Sequence, residues 1–173
     1  MIAFIKRMGL SVRLLMRTLL AGALFVAVTS ALAQETATRL DRDNAALSSS
    51  NASIKVKVAI TTRRAKTSEI VLRAEPGQFP PEIRVVKDLF IEVNGKAVYV
   101  PRSAFADLIW VTSAELAVKE RRGTLIIRGG DASESYFARI VFDSARVRSR
   151  AVFDPAAPAK PLEESRYFEV VIE

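Results

Sequence analysis

The sequence predicts an all-β protein, an antiparallel β-sandwich of about eight or nine short strands with one short helix; a closed β-barrel is the alternative. Three observations predict this fold class. After residue 53, apolar and polar residues alternate with the period of two that is typical of half-buried strands. Turn residues separate these stretches at short intervals, and Asn94-Gly95 is the strongest hairpin signal. The sequence lacks the long helical patterns between strands that a parallel α/β sheet requires.

The predicted strands follow one another along the chain with few interruptions. In the first, Ile54, Val56, Val58 and Ile60 fall on one face, and lysines fall on the other. In SYFARIVF both faces are largely apolar, as expected of a central strand. In chain order the predicted strands are SIKVKVAI, SEIVLR, EIRVVKDLFIEV, KAVYV, AELAVKE, TLIIR, SYFARIVF, ARVRSRAVF and RYFEVVI.

Three segments between the strands are predicted to be irregular or helical. EPGQFPP and DPAAPAKPLEES are rich in proline and are expected to be loops. PRSAFADLIW is the helical candidate, because Phe105, Leu108 and Ile109 have helical spacing and Ser103 can cap the N-terminus. We expect a turn or two of helix that covers an end of the sheet.

Residues 1–33 are predicted to be a signal peptide that is cleaved after Ala33. Four basic residues precede an uncharged, mostly apolar run, which ends in the small-x-small pattern Ala31-Leu32-Ala33 of a signal-peptidase site. That run is shorter than the ~20 residues of a membrane span. The protein is therefore expected to use the general secretory route to the periplasm, or to be secreted, with no stable membrane anchor after cleavage.

The mature chain is predicted to have two parts. Residues 34–52 are polar and have no sustained period, so they are expected to form a flexible leader. Residues 53–173 are expected to form the β-sandwich domain. Removing the four basic residues of the signal peptide leaves 22 Lys and Arg against 19 Asp and Glu, a net charge of +3. Most of the basic excess belongs to the signal peptide, so nucleic acid is not expected as a partner.

The sequence contains neither histidine nor cysteine. Their absence excludes Ser-His-Asp catalysis, thiol nucleophiles, disulfides and zinc sites that use these ligands. We therefore expect no enzyme activity, no cofactor and no metal site. A hydrolase that uses a Ser-Lys pair, or a carboxylate pair such as Asp131 and Asp143, is the remaining catalytic alternative.

The stretch RGGDASESYFARIVF raises the question of a phosphate or calcium loop. A phosphate-binding glycine loop leads into a helix, whereas a predicted strand follows here. Asp131, Ser133 and Glu134 supply too few oxygen ligands for calcium. The stretch is therefore interpreted as a hairpin connection, and these three residues form a loop of weak functional interest.

Arginine dominates one predicted strand, ARVRSRAVF. Because side chains alternate along a strand, Arg146, Arg148 and Arg150 are expected on one face, where Arg139 of the neighbouring strand could extend them. This face could bind an anionic partner. The alternative is a solvated face whose long aliphatic stems cover apolar surface. The isolated aromatic residues Phe79, Tyr99 and Trp110 are expected in the core or at its rim.

The function expected from these patterns is that of a non-enzymatic, exported β-sandwich that binds another macromolecule. The expected partner is a protein of the envelope or periplasm, or an anionic glycan. A domain that binds a small ligand or a glycan in a pocket at one end of the sandwich is the alternative.

Overall fold

The computed structural model describes residues 36–67, 80–131 and 134–169, which form strands and one short helix. In chain order these elements are β1 (Thr36–Arg39), β2 (Asn44–Ser50), β3 (Lys55–Lys66), β4 (Glu82–Val93), β5 (Lys96–Ala97), a 3₁₀-helix (Arg102–Ala104), β6 (Ser113–Lys119), β7 (Arg122–Gly129), β8 (Tyr136–Phe142), β9 (Val147–Phe153) and β10 (Pro161–Arg166).

Two antiparallel sheets make up the described chain. One has six strands in the order β1-β6-β7-β8-β9-β10, and the other has four in the order β2-β3-β4-β5. The two sheets do not merge into a closed barrel in this part of the chain. The predicted β-sandwich is confirmed, and the barrel alternative is wrong.

The core lies between the inner faces of the two sheets. In β3, Val56, Val58 and Ile60 are buried and the lysines between them are exposed, as the alternation predicts. On the opposing sheet, Leu125 of β7 pairs with Ile140 of β8, and both are fully buried. Alternating burial on facing strands therefore brings the apolar residues together in one main cluster.

Tight turns join neighbouring strands where the sequence predicts them. Asn94 and Gly95 both have positive φ, 52° and 80°, as a type I′ hairpin turn between β4 and β5 requires. Another short turn joins β6 to β7, with Glu120 at a φ of 54°. Gly130, at a φ of 82°, begins the connection from β7 to β8. The hairpin interpretation of the glycine-rich stretch is thus confirmed.

Residues 36–50 differ from the expected flexible leader, because β1 joins the six-stranded sheet and β2 joins the four-stranded one. Leu40 is 0% exposed and Leu47 is 3% exposed, so both contribute to the core. Burial of two leucine side chains stabilises this segment by a few kcal/mol, about 1.5–3 kcal/mol for each. That contribution explains why a polar stretch forms strands.

The last described strand also differs from the prediction. It is Pro161–Arg166, which occupies the end of the segment expected to be a loop and only the first residue of the predicted strand RYFEVVI; residues 167–169 are not in a strand, and 170–172 lie outside the described residues. Proline is tolerated at the start of an edge strand, and β10 pairs only with β9. The helical candidate forms a single 3₁₀ turn; Pro101 precedes it, and Ser103 lies inside it without capping it.

The segment between β5 and β6, residues 98–112, crosses from one sheet to the other and is called the crossover segment below. Tyr99 forms a parallel bridge to Arg146 beside β9, and Ile109 forms an antiparallel bridge to Val85 of β4. Phe105 and Leu108 are buried in the core. The segment therefore packs over one end of the sandwich.

Several predictions concern residues outside the described ranges. These are the signal peptide (1–33), the strand SEIVLR, Phe79 and most of the loop EPGQFPP, Ser133, and the final residues 170–173. Within the ranges that are described, no helix is long and apolar enough to cross a membrane.

Candidate functional site

A β-bulge interrupts the strand on which the arginine face was predicted. Two consecutive residues of β8, Val141 and Phe142, lie opposite three residues of β9, of which Arg148 is the middle one. The extra residue reverses the alternation, so Arg150 pairs with Ile140 on the core-facing side of the sheet. The prediction of one exposed arginine face was wrong, because a period of two does not hold across the bulge.

Arg150 is buried, and its side chain is only 2% exposed. Its Nη2 lies 2.5 Å from Asp107 Oδ2, and its Nη1 lies 2.6 Å from Glu163 Oε1. Both carboxylates are more than half exposed, at 58% and 55%. Arg150 therefore ties the crossover segment and β10 to β9, and it is not available to an external anion.

Arg146 and Arg148 also bind carboxylates of this chain. Arg146 forms an ion pair with Glu169, and Arg148 Nε donates to Asp143 Oδ2. Partial burial of Asp143 opposes its ionisation, but hydrogen bonds from the Ala145 and Arg146 amides and from Arg148 outweigh this effect and lower its pKa. These pairs organise the turn between β8 and β9.

Arg139 lies on the outer face of the six-stranded sheet, opposite Ala151 of β9. Its guanidinium carbon is 4.5 Å from the ring centroid of Phe153 and 5.9 Å from that of Phe137. The two rings stack with centroids 4.8 Å apart and are both buried. Arg139 thus covers an aromatic pair, as the solvated-face alternative expects.

The glycine-rich connection between β7 and β8 places its two described acidic residues differently. Asp131 is exposed and lines a groove at the end of the sandwich. Glu134 donates its amide hydrogen to the Asp131 carbonyl oxygen, and its side chain is exposed.

Asp131 and Asp143 flank opposite ends of β8, whose seven residues span about 23 Å. They cannot form the carboxylate pair of a glycosidase, which needs at most about 9.5 Å.

The groove is built around the end of the crossover segment, which both sheets hold in place. The Val86 amide donates to the Leu108 carbonyl oxygen (3.1 Å) in the four-stranded sheet. The Thr112 amide donates to the Arg128 carbonyl oxygen (2.9 Å) in the six-stranded sheet. The Leu40 amide in turn donates to the Thr112 carbonyl oxygen (2.8 Å). Main-chain hydrogen bonds to Val86, Arg128 and Leu40 therefore anchor residues 108–112.

Trp110 lies within this anchored stretch and adopts a left-handed backbone with a φ of 52°. This conformation is uncommon for a large side chain and persists only where surrounding contacts enforce it. Trp110 packs beside Ala65, Ile83 and Val85, which form a small apolar cluster apart from the main core. The indole is thus held in one place at the wall of the groove.

Tyr136 fixes the same stretch from β8. Its hydroxyl donates a hydrogen bond of 2.7 Å to the Ile109 carbonyl oxygen. Burial raises the pKa of the Tyr136 hydroxyl well above its ordinary value, so it remains a donor across the physiological range. A Cβ added at Gly129 would lie 2.5 Å from the Tyr136 hydroxyl oxygen, so only glycine leaves room for this contact.

The resulting groove is open and has a volume of about 420 Å³, within the range of small-ligand sites. Its walls are formed by residues of both sheets, of the crossover segment and of the loop between β7 and β8. Its lining residues are Arg39, Leu40, Asp41, Pro80, Arg84, Trp110, Val111, Thr112, Gly130 and Asp131.

The charged groups of the groove are balanced, with two arginines and two aspartates. Arg84 is fixed by hydrogen bonds from its Nη1 to Thr62 Oγ1 (2.6 Å) and Asp43 Oδ1 (3.1 Å). Arg39, Asp41 and Asp131 form no ion pair with any other described residue. The groove therefore offers hydrogen-bond donors and acceptors without a strong net charge.

Sequence patterns did not identify most of this site. Arg39 and Asp41 fall in the segment interpreted as a flexible leader, and the neighbouring Leu40 is the only local signal that the segment packs. Trp110 was expected in the core or rim, and it lies at the rim with its side chain half-buried. Among the described residues, no cluster of three or more potential ligands could hold a metal ion.

Comparison with known proteins adds no assignment. No family model, curated protein or solved structure matches this chain.

Proposed function

We propose that this protein is a non-enzymatic, exported binding domain whose groove at the end of the sandwich holds a carbohydrate of the cell envelope. The observation that carries the proposal is the groove itself, in which a fixed tryptophan adjoins carboxylates and guanidinium groups. The proposal favours the pocket alternative over an arginine face, because Arg146, Arg148 and Arg150 are bound to carboxylates of the chain.

Carbohydrates suit these side chains for chemical reasons. A sugar ring has an apolar face of C–H groups, which packs on an indole, and hydroxyl groups around its rim. A carboxylate such as Asp131 accepts hydrogen bonds from neighbouring hydroxyls, and a guanidinium such as Arg39 donates them. Because the charges in the groove balance, we propose a neutral sugar unit as the group bound there.

Rigid walls support a binding role. Hydrogen bonds on Arg84 and the packing of Trp110 against the small apolar cluster restrict both side chains before the ligand arrives, which reduces the side-chain entropy that binding must overcome by about 0.5–1.5 kcal/mol for each side chain.

The proposal is tested by screening the mature domain against a panel of envelope oligosaccharides and measuring the affinity of any hit by calorimetry. Asp131→Asn keeps the side-chain shape but weakens acceptance of hydroxyl protons, and we expect at least tenfold weaker binding. Glu134→Gln changes the same charge in the same loop outside the groove and should bind like the wild type. A panel without hits, or equal loss in both variants, would contradict the proposal.

A further inference from the structure

The outer face of the four-stranded sheet carries an exposed phenylalanine beside a shallow slot. Phe90 of β4 is 49% exposed although its ring is apolar. It lies opposite Ala59 of β3, which in turn lies opposite Ala46 of β2, and both alanines are exposed. One cross-strand row thus holds a large side chain next to two small ones. The small side chains leave a slot of about 410 Å³ beside the ring.

Two further rows of unlike residues flank this one on β3 and β4. On one side Lys57 lies opposite Glu92, with Nζ and Oε1 3.3 Å apart. On the other side Thr61 lies opposite Asp88. In every row the two strands therefore carry different side chains, small against large, basic against acidic, or hydroxyl against carboxylate. These six residues are called the outer patch below: Lys57, Ala59, Thr61, Asp88, Phe90 and Glu92.

Pairing of unlike residues makes the outer patch complementary to a second copy of itself. Consider a two-fold axis that lies above the sheet, parallel to β3 and β4 and midway between them. Each residue of the patch then faces, in the second copy, the same residue that it pairs with inside its own chain. Phe90 therefore lies over Ala59 of the second copy and fills its slot. The two Phe90 rings lie side by side at about the strand spacing of ~4.8 Å, which suits an aromatic pair.

The same axis brings opposite charges together at the edge of this aromatic contact. Lys57 faces Glu92 of the second copy, and Glu92 faces its Lys57, so two basic and two acidic groups alternate around the axis. Thr61 faces Asp88 of the second copy without a charge conflict. Among the six residues no two like charges face each other, and this complementarity favours a second copy as the partner.

We propose that the outer patch is a dimer interface, at which two copies of this chain pack their four-stranded sheets face to face about this axis. Sheets that pack in this way keep their strands nearly aligned, as the axis requires. Four strands are about 19 Å wide and the seven residues of β2 span about 23 Å, so each copy contributes on the order of 400 Å². An interface of this size is typical of a weak, reversible complex. The groove lining contains none of the six residues, so the dimer is independent of the carbohydrate proposal.

The test compares two charge-reversal variants, alone and mixed, by sedimentation velocity over a range of protein concentrations. K57E places a glutamate over Glu92 of the second copy, and E92K places a lysine over Lys57. Each variant alone should dimerise at least about tenfold more weakly than the wild type, because like charges then face each other. An equimolar mixture of K57E and E92K should regain the dimer, because opposite charges face each other between the two chains. The pair inside each chain stays repulsive in the mixture, so only contact between chains can produce the recovery.

Arg128 and Glu115 provide the matched control. They form an ion pair of 3.1 Å on the outer face of the six-stranded sheet, with side chains 44% and 24% exposed, close to the 59% and 25% of Lys57 and Glu92. R128E and E115R should therefore dimerise like the wild type. Phe90→Ser removes the ring from the slot and should weaken the dimer at least about tenfold, with an unchanged circular dichroism spectrum because the ring is half exposed.

Recovery of the dimer in the mixture, with normal dimerisation of R128E and E115R, supports the proposed interface and its axis. A wild-type protein that stays monomeric at every concentration would overturn the proposal. A mixture that dimerises no better than K57E or E92K alone would also overturn it, as would a dimer that survives in Phe90→Ser. Equal losses in R128E and E115R would show that dimerisation does not depend on the outer patch.

Discussion

The Tyr136 hydroxyl donates a hydrogen bond of 2.7 Å to the carbonyl oxygen of Ile109, the residue that precedes Trp110. This bond links the middle of the six-stranded sheet to the crossover segment, which also pairs with β4 of the other sheet. The position of Trp110 thus depends on contacts with both layers of the sandwich.

Tyr136→Phe should destabilise the domain by about 1 kcal/mol, because the substitution removes a hydrogen bond and leaves the Ile109 carbonyl oxygen without its donor. Urea unfolding followed by circular dichroism measures this change. Tyr99→Phe is the matched control. Because Tyr99 is 69% exposed, this variant should be as stable as the wild type. A loss that is equal in the two variants would show that the buried bond does not stabilise the crossover segment.

Gly129→Ala adds only one methyl group, but it should destabilise the domain substantially. The added Cβ would lie 2.5 Å from the Tyr136 hydroxyl oxygen and 2.7 Å from the Ile109 carbonyl oxygen, so one of these groups must move. We expect a loss of about 1–3 kcal/mol, typical of overpacking, together with a changed Trp110 emission spectrum. Gly95→Ala serves as the comparison, because no atom lies within 4 Å there and only its positive φ opposes the change. Unchanged stability in Gly129→Ala would contradict the close packing described here.

In the cluster of Arg150, Asp107 and Glu163, removing both carboxylates should destabilise the domain more than removing the arginine. Asp107→Asn with Glu163→Gln leaves a buried guanidinium without a counter-charge, and we expect a loss of about 3 kcal/mol. Arg150→Met leaves two carboxylates that are more than half exposed and readily hydrated, so it should cost about 1 kcal/mol. Chemical unfolding of both variants measures the difference. The reverse order of stabilities would show that the carboxylates, not the arginine, carry the desolvation cost.

Asp143→Asn should reduce stability at neutral pH but not in acid. The pKa of Asp143 is lowered in the folded protein, so its ionised form contributes stability above the ordinary value of 3.8, and that contribution is lost as pH falls further. We expect a difference of about 1 kcal/mol at pH 7 that shrinks and is lost as pH falls below the ordinary value of 3.8. Urea unfolding across this range, with Glu134→Gln as an exposed control, tests the prediction. A difference that grows as pH falls would contradict the direction of the pKa shift.

Most strands of the domain could be predicted from the sequence because their alternation reflects one buried and one solvated face. Val56, Val58 and Ile60 illustrate this, as does the Asn94-Gly95 turn, whose residues suit positive φ. These features depend on local sequence alone. They therefore appear in the structure at the predicted places.

The groove and the inward position of Arg150 could not be predicted, because they depend on long-range strand pairing and on irregularities that local patterns do not encode. The bulge at Arg148 turns Arg150 inward, and nothing in ARVRSRAVF signals the extra residue. Arg39 and Asp41 reach the groove only because β1 pairs with β6, far away in the sequence. The left-handed backbone at Trp110 is likewise imposed by tertiary hydrogen bonds. Each of these features is set by contacts between residues distant in the sequence rather than by the local pattern.

Trp110 is the only tryptophan in the chain and lines the groove, so its fluorescence reports on that site directly. The measurement that tests the carbohydrate proposal is a titration of this emission with the oligosaccharide that calorimetry identifies. We predict a saturable change in intensity or wavelength whose midpoint equals the calorimetric Kd, and a midpoint at least tenfold higher in Asp131→Asn. Binding by calorimetry with no change in Trp110 emission, or with the same midpoint in Asp131→Asn, would contradict the assignment of the groove as the carbohydrate site.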